Sequence, residues 1–252
     1  MDSVLTVDGQ NGVKKSAQLL TKLLKLLWAK VEVGNSGSDL VTATWSFLRT
    51  HRCHSNFYRY QGFPAPICVS VNSAVIHGIP DDNKFKAGDI VSVDAGVLYQ
   101  QKWHSDAAFT KIVGSCANPS DQLLVMTCAQ ALRIAISQLQ PNIRTGTLGA
   151  SIAHYVRSQG FFWPNNYTGH AIGLALHMKP IVPNSGRVNT GDLLRPGMVV
   201  CVEPMVMAQT ADTTTAPDGW TVHNAAGANA AHFEAMILIK SSGIELLTPI
   251  LV

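Results

Sequence analysis

Five side chains supply oxygen and nitrogen donors from apolar surroundings. They occur in Val93-Asp94-Ala95, Asp106-Ala107-Ala108, Gly169-His170-Ala171-Ile172, Val202-Glu203-Pro204-Met205 and Phe233-Glu234-Ala235-Met236. An unpaired ionised group in such a setting costs several kcal/mol to bury. Taken singly, each has a plain structural role, as a solvated strand end or a histidine packed beside glycines. Together, four carboxylates and one imidazole match a pair of divalent first-row ions bridged by carboxylate and water. Cysteine is absent from the set, which argues against a structural zinc site.

The elements that must position these groups begin with Asp89–Val97 and Trp103–Phe109. Val91, Val93, Ala95 and Val97 alternate with Ser92, Asp94 and Gly96, the period of a half-buried strand. His104, Asp106 and Ala108 continue the even parity. A hairpin centred on Gln100 places Asp94 directly opposite Asp106, with Cβ atoms roughly 4.5–5.5 Å apart. There, either one carboxyl holds a proton or both hold metal. The turn Tyr99-Gln100-Gln101 lacks the Gly, Asn or Asp that usually supplies positive φ. Two separate, solvated loop-end residues therefore remain an open alternative for this pair.

Helical spacing runs from Val13 to Val33 through Leu20, Leu23, Leu24, Leu27 and Val31, with core packing preferred to a membrane-surface role for its lysines. Ser38 is expected to cap a second helix reaching about Arg52. The aromatic stretch Phe57 to Pro66 is too irregular for a regular element; a strand is expected over Ile67–Val71 and a loop over Asn72–Pro80. Asn118 starts a helix that Pro141 ends, and Thr147–Gln159 forms another with Gly160 as its C-cap. Strands follow at Met198–Glu203 and Phe233–Ile239. The order of elements reads as one α+β unit used twice, in a single domain 1–252 with halves 1–117 and 118–252.

A chain of 252 residues can bury a large core, and charged residues are only 14% against the roughly 25% of an average domain. Net charge is +3 from 19 basic and 16 acidic residues, too balanced to imply nucleic-acid binding. Five scattered cysteines without a CxxC pair favour reduced thiols. Neither a basic-then-apolar leader nor an apolar run of membrane-spanning length is legible, so a cytoplasmic protein without membrane contact is expected.

At these residues the chain resembles the methionine aminopeptidases, in the short type I form without an inserted subdomain. The motifs carrying the resemblance are Cys68-Val69-Ser70-Val71-Asn72, His77-Gly78-Ile79-Pro80, Gly88 to Asp94, Asp106-Ala107-Ala108, Gly169 to Gly173, Glu203-Pro204-Met205 and Phe233-Glu234. The resemblance implies the pita-bread (creatinase/aminopeptidase-like) fold, two pseudo-symmetric halves around a central curved antiparallel sheet. It implies two divalent ions (Co, Mn, Fe or Zn), with Asp106 and Glu234 bridging, Asp94 completing one ion, and His170 with Glu203 the other. Glu203 is then also the proton shuttle, and His77 and His177 are the non-ligand histidines near the substrate amide. Tyr60, Phe63, Cys68 and Trp220 match positions of the methionine side-chain pocket, with the loop-like run Thr213 to Gly219 leading into its wall. The implied activity is removal of the initiator methionine ahead of a small second residue. Its implied partners are nascent polypeptide N-termini at the ribosome, and the chain acts as a monomer.

The sequence departs from the family pattern in four places. Ser105 replaces the glycine usual before Asp106, and the interval from Asp94 to Asp106 is one residue longer than the family pattern, which implies a bulge or a longer turn. Leu176 and Met178 flank His177 where an aromatic and an acidic residue are general, and His232 stands where a polar amide is common. Two other readings use the same fold: a proline-specific peptidase, which usually carries a large extra N-terminal domain, and a metal-free binding paralogue, which would have lost ligands.

Overall fold

The computed structural model describes residues 3–115 and 118–252. The seam expected at 117/118, the thiol of Cys116 and the first two residues lie at least partly outside them.

Helix α1 (Val7–Lys30) starts where the Thr6 hydroxyl accepts the Gly9 N–H, six residues before the expected start. Its buried stripe of Val13, Ala17, Leu20, Leu24 and Leu27 packs on a hairpin described below. Helix α2 (Gly37–Thr50) begins at a reciprocal capping box between Ser36 and Asp39, so the cap is Ser36 and not Ser38. Ser36 wins because the N3 residue of its turn is an acid able to return the hydrogen bond.

Strand β1 (His54–Ser55), a 3₁₀ turn (Tyr60–Gly62) and β2 (Ile67–Val71) follow. Strand β3 (Ala74–Ile76) lies inside the segment expected to be a loop, because it pairs with a distant strand. The hairpin β4 (Ile90–Tyr99) and β5 (Trp103–Ile112) then leads to α3 (Pro119–Gln138) and α4 (Thr145–Ser158). The second half continues with β6 (Thr168–Ala171), β7 (Met178–Pro183), β8 (Val199–Val202), β9 (Met205–Met207) and β10 (Thr213–Thr215). It ends with β11 (Val222–Asn224), β12 (Ala230–His232), β13 (Ala235–Lys240) and β14 (Gly243–Leu246). The expected Thr213–Gly219 loop is thus strand at its start, paired with β11.

Every strand pairing among the described residues is antiparallel. In the first half β4 is central, with β5 on one side and β2 and β1 on the other. In the second half the order is β14-β13-β8-β6-β7. The two surfaces join where Ala108 and Glu234 exchange backbone hydrogen bonds, 3.0 Å and 3.4 Å, and where the His104 N–H reaches the Gly173 carbonyl at 2.9 Å. Odd-numbered residues of the hairpin face the helices: Phe109 meets Trp28 edge-on at 5.2 Å between ring centroids. The even-numbered face, with Asp94 and Asp106, is left for the site. Among the described residues no helix is long and apolar enough to cross a membrane.

Candidate metal centre and active site

The β4–β5 ladder pairs Asp94 with Ala108 and Gly96 with Asp106. The hairpin is therefore centred on residue 101, and Asp94 and Asp106 are diagonal neighbours rather than directly opposed. The cause is the connection: Gln100 and Gln101 take φ of 52° and 53°, and the Lys102 N–H closes on the Tyr99 carbonyl at 3.1 Å. A slip of two leaves both carboxylates on one face, since side chains alternate with period two. The ladder runs without a bulge past Ser105, so the longer interval is taken up in the turn. Ser105 is buried, its hydroxyl 2.9 Å from that of Ser16 on α1, and its carbonyl accepts from Asn56 Nδ2 at 2.7 Å.

His170 comes from β6, whose neighbour Ala171 pairs with Val200 of β8. A Cβ on Gly169 would lie 2.3 Å from the Cys201 carbonyl oxygen, so glycine allows the strands to close here. His170 Nδ1 lies 3.1 Å from the Ala171 carbonyl. With Nδ1–H donating, Nε2 keeps its lone pair, 3.5 Å from Glu203 Oε1. Ala235 pairs with Val202, so Glu203 and Glu234 are the next residues along the same ladder. The Glu203 backbone is held by Asn184, whose Nδ2 donates to its carbonyl at 3.0 Å.

Asp94, Asp106 and Glu234 place ligand atoms within 4.8 Å of one another, and Asp106 does so with His170 and His177. Asp94 Oδ1, Asp106 Oδ1 and Glu234 Oε1 are buried without a hydrogen-bond partner. Burial pushes the Asp94 carboxyl up to about 7, with Asp106 near enough to share a proton with it. Burial, then repulsion among the carboxylates, pushes Asp106, Glu203 and Glu234 well above the usual range. Crowded acids with orphaned oxygens beside an imidazole lone pair fit divalent cations, which supply the missing positive charge.

These donors line a cavity of about 150 Å³. Tyr60, Phe63, Cys68, His77, His177 and Trp220 line it too, so every ligand, catalytic and pocket residue expected from the resemblance borders the same space. Phe63 and Trp220 meet edge to face at 5.2 Å, and Cys68 pairs with Asp94 across β2–β4. Trp220 is set by Asp218, which accepts from the backbone N–H groups of Trp220 and Thr221 at 2.7 and 2.8 Å. His77 takes φ of 58°, an uncommon region for a side-chain-bearing residue and one that clusters at functional sites. Gly78 follows because a Cβ there would lie 2.2 Å from the Val69 carbonyl oxygen. Burial lowers His77 to about 4 and also lowers His177, so both are neutral near pH 7. The Tyr60 hydroxyl lies 2.8 Å from His177 Nδ1.

Residues 11–241 match the model of Metallopeptidase family M24. The chain belongs to that family. The methionine aminopeptidase of Mycoplasma capricolum is 46% identical over 248 residues, 97% of this chain and 98% of the relative. The solved methionine aminopeptidase of Thermotoga maritima superposes with a TM-score of 0.95 at 36% identity, covering 98% of this chain and 99% of that one. The prolidase of Pyrococcus horikoshii shares the fold at a TM-score of 0.77 and 20% identity, and the match covers 99% of this chain but 64% of the prolidase. The pita-bread fold expected from the resemblance is the one observed. As an M24 member among methionine aminopeptidases, the chain is a hydrolase that depends on divalent metal.

The M24 site also contains groups that sequence reasoning missed. Phe57 and Gln61 line the cavity, as does Leu176, which the sequence marks only as a departure. His232, noted only as a departure, is buried with Nε2 unpartnered and 3.9 Å from Glu203 Oε2. Cys201 was excluded from the donor set, yet its Sγ lies within 4.8 Å of ligand atoms of His170 and Glu234. Strand parity could have found it, since Cys201 is two residues before Glu203 and shares its face.

Proposed function

We propose that the chain removes the initiator methionine from nascent polypeptides whose second residue is small, using two divalent ions drawn from Mn, Fe, Co or Zn. Asp106 and Glu234 would bridge the ions, Asp94 would complete one, and His170 with Glu203 the other. The observation that carries this reading is the single cavity bordered both by the hard donors and by Tyr60, Phe63, Cys68 and Trp220. The catalytic unit is the whole chain, its halves 1–117 and 118–252 meeting at the backbone bonds between Ala108 and Glu234.

When bound, the ions supply Lewis acidity that acidifies water and polarises a carbonyl. Glu203 takes the water's proton and delivers it to the leaving amine, a role its carboxylate can fill from the wall of the cavity. His77 and His177, both neutral, hydrogen-bond the scissile amide rather than repel the substrate's ammonium. With the Tyr60 hydroxyl donating to Nδ1, His177 keeps Nε2–H as its donor. The aromatic rings and the Cys68 sulfur receive the thioether, with sulfur–aromatic contacts of about 0.3–1.5 kcal/mol each. The work is done in the cytoplasm on chains leaving the ribosome, by a monomer.

The test is cleavage of Met-Ala-Ser against Xaa-Pro peptides, with and without chelator. Metal-dependent release of methionine from Met-Ala-Ser is expected. Cleavage confined to Xaa-Pro would replace this reading with the proline-specific one, and no cleavage of either by metal-loaded protein would leave a binding paralogue.

A further inference from the structure

Two sulfur-bearing side chains, Cys201 and Met236, lie beside the candidate metal donors. Cys201 and Met236 pair across β8 and β13. On the other side of β8, one step back from the Ala171–Val200 pair, lies His170. Imidazole, thiol and thioether therefore form one row across three adjacent strands. The side chains of this row share the site's face, since Glu203 and Glu234 lie two residues further along their own strands. The Met236 sulfur accepts the Asp106 N–H at 3.2 Å. The Cys201 thiol is wholly buried, as are His170 (6% exposed) and Glu234 (2% exposed).

We infer that Cys201, His170 and Glu234 form a mixed sulfur, nitrogen and oxygen site for a thiophilic divalent ion, Zn²⁺ or Cd²⁺, in place of the hard ion at that position. The assignment rests on the metal-centre reading above and changes which ion it prefers. The three ligand atoms lie within 4.8 Å of one another. A tetrahedral ion with Zn–S of about 2.3 Å and Zn–N or Zn–O of about 2.0–2.2 Å needs ligand separations of about 3.3–3.7 Å, so small side-chain adjustments suffice. Glu234 Oε1, nine-tenths buried or more and without a partner, leaves an acceptor in this space for a cation. Soft thiolate selects such ions, whereas carboxylate and water suit Mn²⁺. On binding, the Cys201 S–H bond breaks, the thiolate bonds the metal and one proton leaves to solvent.

The probes are Cd²⁺ and Mn²⁺, each titrated into metal-stripped protein, with ultraviolet absorption and proton release recorded. Wild-type protein with Cd²⁺ should show a sulfur-to-metal charge-transfer band. The band should vanish in Cys201→Ser and persist in Cys68→Ser, which removes the other thiol bordering the cavity. Cys201→Ser should release one proton fewer and bind Cd²⁺ at least about 10–100-fold more weakly, since loss even of a metal ligand's supporting partner costs that much. Its Mn²⁺ affinity should be unchanged. A merely structural role for Cys201 would lower both affinities together and overturn the assignment. It is equally overturned if the band is absent, survives Cys201→Ser or disappears with Cys68→Ser. Should Cys201→Ser not fold, X-ray absorption of Cd²⁺-loaded wild-type and Cys68→Ser protein decides: a sulfur neighbour in both supports the site, and only oxygen and nitrogen neighbours overturn it. Failure to bind either ion would overturn the metal centre itself, whereas Mn²⁺ binding without Cd–sulfur contact would overturn this inference alone.

Discussion

Asp94 and Glu234 stand on opposite sides of one small residue. Asp94 pairs with Ala108 across β4–β5, while Glu234 exchanges both backbone hydrogen bonds with Ala108 from the other side. Two carboxylates that lie 140 positions apart in the chain are thus placed by one methyl-bearing residue. Ala108 is 2% exposed and shares the even face of the hairpin with Asp94 and Asp106, so its size sets the room between the acids.

Ala108→Leu should therefore fold, at a cost of about 1–3 kcal/mol for overpacking, and lose metal. Metal analysis of the folded variant checks this. Two ions retained at wild-type affinity would show that the space beside Ala108 is not the metal centre.

Glu203→Gln should keep at least one ion yet lose about 10²–10⁴-fold in kcat, because the amide cannot carry the proton. His77→Ala should keep both ions and lose rate, because His77 is assigned to substrate. A missing ion in His77→Ala would move His77 into the ligand set.

How far the site was legible follows from two periodicities. Side-chain parity along β4 and β5 put Asp94 and Asp106 on one face, and parity survives the two-residue slip that the actual turn imposes. The register itself was hidden because Gln100 and Gln101 adopt positive φ without being residues that favour it. Ser36 outcompeted Ser38 through Asp39, and β3 and β10 exist only because β11 pairs with both. Tertiary pairing of this kind leaves little local trace. Cys201 offers only the strand parity it shares with Glu203, and the fold is what brings it to His170 and Glu234; His232, read from the sequence only as a departure, meets Glu203 in the fold.

Stability of the metal-free protein should fall as pH rises from about 6.5 to 8. Folding raises Asp94 from 3.8 to about 7, and Asp106, Glu203 and Glu234 well above the usual carboxylate range. The folded state thus holds protons that the unfolded chain has lost, a contribution full at low pH, lost for Asp94 by about pH 7 and lost above that by the acids raised further. His77, His170 and His232 run the other way, lowered from 6.5 to about 4, 3 and 3. Their contribution grows as pH rises from those folded values to about 6.5 and levels off above it. Above that pH the carboxylates decide the slope. Melting curves at pH 6.5, 7.25 and 8 check it: Tm should fall without metal and stay level with saturating Mn²⁺. A rise in Tm without metal would mean that the acids are not desolvated together.

Gly169→Ala should cut metal affinity at the His170 position more than it cuts activity at saturating metal. Its Cβ would meet the Cys201 carbonyl oxygen at 2.3 Å and push β6 from β8, carrying His170 with it. Titration of stripped protein with Mn²⁺ reads the effect, and unchanged affinity in both steps would show that β6 does not position a ligand.

The most direct test of the dinuclear centre is the number of ions bound per chain, measured alongside Met-Ala-Ser turnover as Mn²⁺ or Co²⁺ is added back to stripped wild-type and Asp106→Ala protein. Wild-type protein should bind two ions and recover turnover as they fill. Asp106→Ala should lose the bridge and with it almost all turnover. Near-normal turnover by metal-stripped Asp106→Ala protein would contradict the account.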